Sequence, residues 1–225
     1  MGKAKFADIW LVRAGCSQWD QDGRIVGATD LPPCEAGLAA ARDAARLLAG
    51  KPICAILTAP AECARSTADL IAQGSRSPKV RPTETLGEIA LGLWEGTLAS
   101  DIEDRCPTVY RQWRTDPSSV IPPEGESYQE AMARVREAIT DAVGRHLKNG
   151  QGLAIVVGPT VFGMLICWLE NRPPSDLWEL LDESPPVIRM TVDRATMKAV
   201  SRAQSPEPAA LPAGRVQASV SSLHR

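Results

Sequence analysis

Four short stretches carry the side chains that could do chemistry. Arg13, Ser17, Asp20 and Arg24 follow the apolar run Ile9–Trp10–Leu11–Val12. Cys63 follows Thr58–Ala59–Pro60, Glu88 closes Leu86–Gly87–Glu88, and Pro159 and Thr160 follow a second apolar run that ends at Val157. Glu88 could serve as a general acid, and the two carboxylates Asp20 and Glu88 could hold Mg²⁺ together with a substrate phosphate. Ala14 offers no nucleophile, and Pro159 has neither a side-chain proton nor a backbone N–H. The chain has only two histidines, and neither lies in these stretches. His146, near the end of a charged helical stretch, suits the helix dipole. His224, close to the C-terminus, is at most a weak metal contact.

The elements that must position these residues follow from periodicity. Ala7–Val12 and Ile53–Leu57 read as strands flanking a helix over Glu35–Leu48. A second helix spans about Ala61–Gln73, and a Pro/Ser/Arg-rich link runs from Gly74 to Pro82. Ser127 with Glu130 is a capping-box candidate for a long helix from Tyr128 to Leu147. Leu153–Val157 is the most strand-like segment, followed by a helix over Val161–Leu169 and a late strand over Val187–Val192. Alternating strands and helices predict an α/β sandwich with a mostly parallel sheet. Ligands then sit at the carboxyl ends of the strands, so the loops after Val12, Leu57 and Val157 should converge on one cleft.

Composition sets the outer bounds. A chain of 225 residues, 44% hydrophobic and 23% charged, suits one sizeable domain, here about 1–200. A Ser/Pro/Ala-rich tail over 201–225 reads as disordered. Net charge is −2 with mixed signs and no basic stripe, which argues against nucleic acid. The uncharged run from Leu153 to Leu169 is broken at Gly158–Pro159 and falls short of a span. Six scattered cysteines without Cys-x-x-Cys spacing suggest thiols in a reducing compartment, and a cytoplasmic location is expected.

The blocks themselves resemble the histidine phosphatase superfamily, the phosphoglycerate-mutase-like phosphatases, over about Asp8 to Val192. Arg13–Ala14–Gly15, then Ser17, Trp19, Asp20, Gly23–Arg24, Asp30 and Pro32, is similar to that family's Arg-His-Gly, Thr-x-Trp-Asn, Gly-Arg and Asp-x-Pro series. In a second block Pro60, Ala64, Thr67 and Ala68 agree, while Cys63 stands where the resemblance puts a phosphate-binding arginine. Arg65 is no substitute, since two residues along a helix point to opposite sides. Glu88 matches the general acid/base, and Gly92–Leu93–Trp94–Glu95–Gly96 and Gly125–Glu126–Ser127 match further blocks. In these, Trp94, Gly92 and Gly96 read as loop and packing residues, and so does Trp19. The last block, Val156–Val157–Gly158–Pro159–Thr160, replaces Val-Val-Ser-His-Gly.

The resemblance implies a three-layer α/β/α sandwich whose phosphate site is gone. Ala14 replaces the nucleophilic histidine, Pro159 the second histidine and Cys63 one arginine; Asp20 replaces an asparagine, and Arg13 alone remains of the four core groups. Arg13 against Glu88 and Asp20 leaves about one negative charge. A carboxylate about 5 Å from each phosphate charge would oppose binding by roughly 3 kcal/mol. Arg13 is therefore expected to pair internally with Glu88 or Asp20. The vestigial cleft is Arg13, Ala14, Asp20, Cys63, Glu88 and Pro159, with Arg13, Ser17, Arg24 and Glu88 as ligand contacts and no metal or cofactor expected. Cys16 and Cys63 should meet near the cleft mouth without thiol catalysis, because no cationic neighbour activates them. The reading is a pseudoenzyme acting by binding or regulation, through a small ligand or a partner protein, with a homodimer allowed and neither nucleic acid nor membrane involved. The alternative is a divergent phosphate-ester hydrolase or mutase-like enzyme using the cleft carboxylates, with or without a metal; a purely structural subunit is a third reading.

Overall fold

The computed structural model describes residues 6–75, 78–146 and 152–193. The expected tail at 201–225 and the residues that flank it lie outside this range. Five strands, β1 (Phe6–Arg13), β2 (Ile53–Thr58), β3 (Lys79–Pro82), β4 (Gly152–Val157) and β5 (Val187–Asp193), form one sheet in the order β3-β2-β4-β1-β5. The pairs β1–β4, β2–β4 and β2–β3 are parallel, and β5 closes the edge antiparallel to β1. The described residues also form eight α-helices: α1 (Gln18–Gln21), α2 (Glu35–Leu48), α3 (Glu62–Gly74), α4 (Ala99–Arg105), α5 (Pro107–Thr115), α6 (Tyr128–His146), α7 (Pro159–Leu169) and α8 (Leu177–Glu183). Every residue of β4 and the run Ile9–Val12 of β1 are buried, so both sheet faces are covered and the expected α/β sandwich is present.

Most element boundaries fall within two residues of the sequence expectation. The link Gly74–Pro82 is a correction: it contains β3, an exposed edge strand of four residues ending in proline. Such an edge carries no apolar alternation, and proline is tolerated there because its missing N–H faces away from the ladder. Helix α7 starts two residues early, with Pro159 at its first position, where no intrahelical N–H is required. At eleven residues it is too short to cross a membrane, and no described helix is long and apolar enough to do so. The Ser127/Glu130 capping box forms as expected, with Ser127 Oγ donating to Glu130 at 2.6 Å and accepting from its N–H at 3.2 Å.

The sheet topology sets the ends of β2, β4 and β1 side by side. The ladder continues one step past them, with Ala14 N–H donating to the Val157 carbonyl and Ala59 N–H to the Val156 carbonyl, each at 2.8 Å. Close backbone contact holds the next step. A Cβ on Gly37 at the start of α2 would fall 2.0 Å from the Cys16 carbonyl oxygen, and one on Gly15 would fall 2.3 Å from the Gly37 oxygen. Gly37→Ala is expected to destabilise by about 2 kcal/mol or more through this backbone clash. Gly144→Ala in α6, whose Cβ meets nothing within 4 Å, should instead stabilise by about 0.5–1 kcal/mol; denaturant melts of the two variants check the contrast.

Candidate functional site

The three converging loops line a cleft of about 300 Å³. Ala14, Cys63, Glu88 and Pro159 meet there, together with Ser17, Asp20 and Arg24. Arg13 is the exception. It is not among the lining residues; its Nη1 donates to the Leu181 carbonyl at 2.9 Å, and its guanidinium carbon lies 5.8 Å from the Phe162 ring centre. The expected pairing of Arg13 with Glu88 or Asp20 therefore does not form. Both carboxylates have closer partners supplied by their own loops or by helix ends.

Asp20 is spent on local structure. Its Oδ2 accepts from Ser17 N–H at 2.6 Å and Ser17 Oγ at 2.7 Å, closing a capping box on α1. Glu88 lies deeper. Its Oε1 accepts from Ile89 N–H at 2.9 Å and Val161 N–H at 3.1 Å, and its Oε2 accepts from Thr160 N–H at 3.0 Å. The last two amides are open N–H groups of the first turn of α7, the kind of helix end that binds anions. A Cβ at Gly158 would sit 2.3 Å from Glu88 Oε2, so only glycine lets the carboxyl reach this position. The start of α3 is closed in the same way, by Asp30 accepting from Glu62 N–H at 2.6 Å.

Burial pushes the Glu88 carboxyl up to about 7, against the downward pull of three backbone N–H groups and, more weakly, of Arg134. Cys63 is pushed up to about 12, first by burial and then by Asp20, Cys16, Cys34 and Glu62. Its thiol donates to the Leu31 carbonyl, and a thiol raised this far stays protonated at neutral pH. Cys16 and Cys34 face each other with sulfurs 3.6 Å apart, and Cys16 is likewise raised by burial. Cys63 lines the cleft, whereas Cys16 lies against Cys34 outside the lining residues and reaches Cys63 only as one of the groups that raise its thiol. Arg65 stays outside the cleft, 3.7 Å from Asp30 on the surface.

Two further features were missed by sequence reasoning. Arg134 of α6 forms a two-point pair with Glu126, both contacts at 2.7 Å, and donates to the carbonyls of Thr85, Gly87 and Glu88. It fixes the backbone from which Glu88 reaches α7. The second feature is an aromatic wall: Tyr110, Trp113 and Trp178 line the cleft, with Trp113 edge-on to Trp178 at 4.6 Å and to Trp94 at 5.5 Å. The i, i+3 spacing of Tyr110 and Trp113 on α5 was the available signal. Trp19, Gly92, Trp94 and Gly96 serve loop packing: a Cβ on Gly96 would meet the Trp19 ring at 3.0 Å, and one on Gly92 would meet the Pro123 oxygen at 2.1 Å. Glu95 ties the same loops by accepting from Leu91 N–H, Ala28 N–H and Thr29 Oγ1. Among the described residues no group of three or more His, Cys, Asp or Glu is arranged to hold a metal ion.

The model of the histidine phosphatase superfamily (branch 1) matches residues 9–202, and the chain belongs to this family. It is 31% identical over 172 residues to an adenosylcobalamin/alpha-ribazole phosphatase of Salmonella typhimurium, covering 76% of this chain and 83% of that protein. It is 28% identical over 169 residues to phosphoserine phosphatase 1 of Hydrogenobacter thermophilus, covering 75% and 78% of the two chains. The solved structure of Bacillus stearothermophilus YhfR superposes with a TM-score of 0.75 at 27% identity, covering 84% of this chain and 92% of that one.

A carboxyl raised on folding holds its proton more tightly in the native state. Stability therefore falls as pH rises from the ordinary 4.5 toward about 7 and levels above it. At roughly 1.4 kcal/mol per pH unit, the Glu88 contribution should drop by about 2 kcal/mol between pH 5 and pH 8. Glu88→Gln should erase that difference in paired denaturant melts at the two pH values. Arg134→Met should lower stability by about 2–3 kcal/mol, because it strands Glu126 and three carbonyls. Arg145→Met, which breaks an exposed pair with Asp141, should change it by about 0.5 kcal/mol or less.

Proposed function

We propose that this family member binds a ligand in its cleft without transferring a phosphoryl group, a pseudoenzyme of the histidine phosphatase fold. The observation that carries this reading is the Glu88 carboxyl seated on the Thr160 and Val161 amides while Arg13 is bound to the Leu181 carbonyl. The anion-binding helix end is filled by the chain's own carboxylate, and the one cation expected at the phosphate is turned elsewhere. Ala14 and Pro159 supply neither the acceptor nor the proton donor of a phosphoryl route. In another enzyme family, removal of the nucleophile lowered turnover by about 10⁶-fold.

Kinship favours a second reading, and favours it more directly than it does the first. The relatives named above are phosphatases, so a phosphate-ester hydrolase using the Glu88 and Asp20 carboxyls is its natural competitor. Hydrolysis of p-nitrophenyl phosphate by the purified protein, with and without Mg²⁺ and beside Glu88→Gln, separates the two. The expected result is no turnover above the Glu88→Gln protein in either buffer. Turnover that disappears in Glu88→Gln would establish the hydrolase and remove the binding-only reading.

A further inference from the structure

We infer that the cleft takes a small, flat, unphosphorylated cation, an aryl amidine or amine whose charged N–H group meets Glu88 at the floor while its ring lies along the Tyr110, Trp113 and Trp178 wall. The inference rests on the binding reading above and names the ligand class. Charge is distributed by depth. Arg24, Arg114 and Asp20 are exposed at the rim, whereas the deeper lining offers one ionisable carboxyl and no cationic side chain among the described residues.

The rim cations are also committed. Arg24 Nη1 donates to the Gly96 carbonyl at 2.8 Å, and the Arg114 guanidinium lies 4.6 Å from the Trp178 ring centre. A carboxylate offers about four acceptor positions, and Glu88 has three backbone donors: two on Oε1 and one on Oε2. An N–H donor from a ligand would complete the Oε2 set. A charged donor is favoured over a neutral one, because Arg134 reaches only the Glu88 backbone carbonyl and a ligand cation would bond the carboxylate itself.

Shape agrees with this chemistry. About 300 Å³ is at the small end of ligand cavities and suits one ring or a fused pair with a short substituent. Ala14, Ala59, Ala64, Ile25 and Leu91 add small and aliphatic surface to the same lining. A phosphate on the ligand would be repelled by Glu88 and would find the α7 amides already occupied.

Isothermal titration of the full chain with benzamidine, benzamide and phenyl phosphate tests the inference, because the three share a ring and differ in charge. Benzamidine should bind at least about tenfold more tightly than benzamide, and phenyl phosphate should not bind at millimolar concentration. Glu88→Gln should remove the preference for benzamidine, while Asp104→Asn, which alters an exposed acid of α4 outside the cleft lining, should leave it within about twofold. Equal binding of benzamidine and benzamide, or no benzamidine binding at 10 mM, overturns the cation inference and leaves the binding reading intact. Tight binding or hydrolysis of phenyl phosphate overturns both. Should Glu88→Gln fail to fold, the three-ligand series on the unaltered protein still decides.

Discussion

The site is organised around one contact, the Glu88 carboxyl resting on the first amides of α7. An α7 N-terminus left open would present unsatisfied N–H groups and a positive dipole end to the cleft, and an anion would settle there. Glu88 takes that place from within the chain. Three other features depend on it or permit it. Gly158 leaves the space a side chain would fill, Pro159 starts the helix without spending a needed N–H, and Arg134 holds the backbone carbonyls around residue 88.

On the binding reading proposed above, the pocket departs from a phosphate pocket at several places at once. Removing one catalytic side chain from an otherwise intact site would leave a cationic hollow that still attracts anions. Here Arg13 at the end of β1 is bound to the Leu181 carbonyl, Cys63 presents an uncharged thiol, and the start of α3 is capped by Asp30. Aromatic and aliphatic side chains form much of the remaining lining, with Asp20, Arg24 and Arg114 exposed at its rim. The cost of burying a carboxyl is met first by three N–H bonds and less by the Arg134 charge, and what is left shows as a raised proton affinity.

Much of the fold was legible because buried strands and amphipathic helices leave strong periodic signals. Leu153–Val157 and Glu35–Leu48 announce themselves, and their alternation with other elements implies a parallel sheet. Lys79–Pro82 did not, since an exposed edge strand needs no apolar face. Helices α4, α5 and α8 are short, at seven, nine and seven residues, so they hold too few turns for an apolar period to stand out. Within the site, the residues brought to the cleft follow from which loops end parallel strands. Partner choice does not. Counting charges suggested that Arg13 would neutralise a carboxylate, but a strand end points its side chain by local geometry, and the Leu181 carbonyl lay within reach. Glu88 found amides instead, a pairing that charge counting cannot see because backbone N–H groups carry no formal charge.

The most direct measurement is the ¹⁵N–¹H spectrum of the protein followed through pH and then through added inorganic phosphate. The Thr160 and Val161 amides should shift together with a midpoint near 7, tracking the Glu88 carboxyl they hold, and should stay unmoved by millimolar phosphate at pH 8. Amide shifts without that titration, or saturable movement on adding phosphate, would mean that the helix end is open to an external anion and that Glu88 does not fill it.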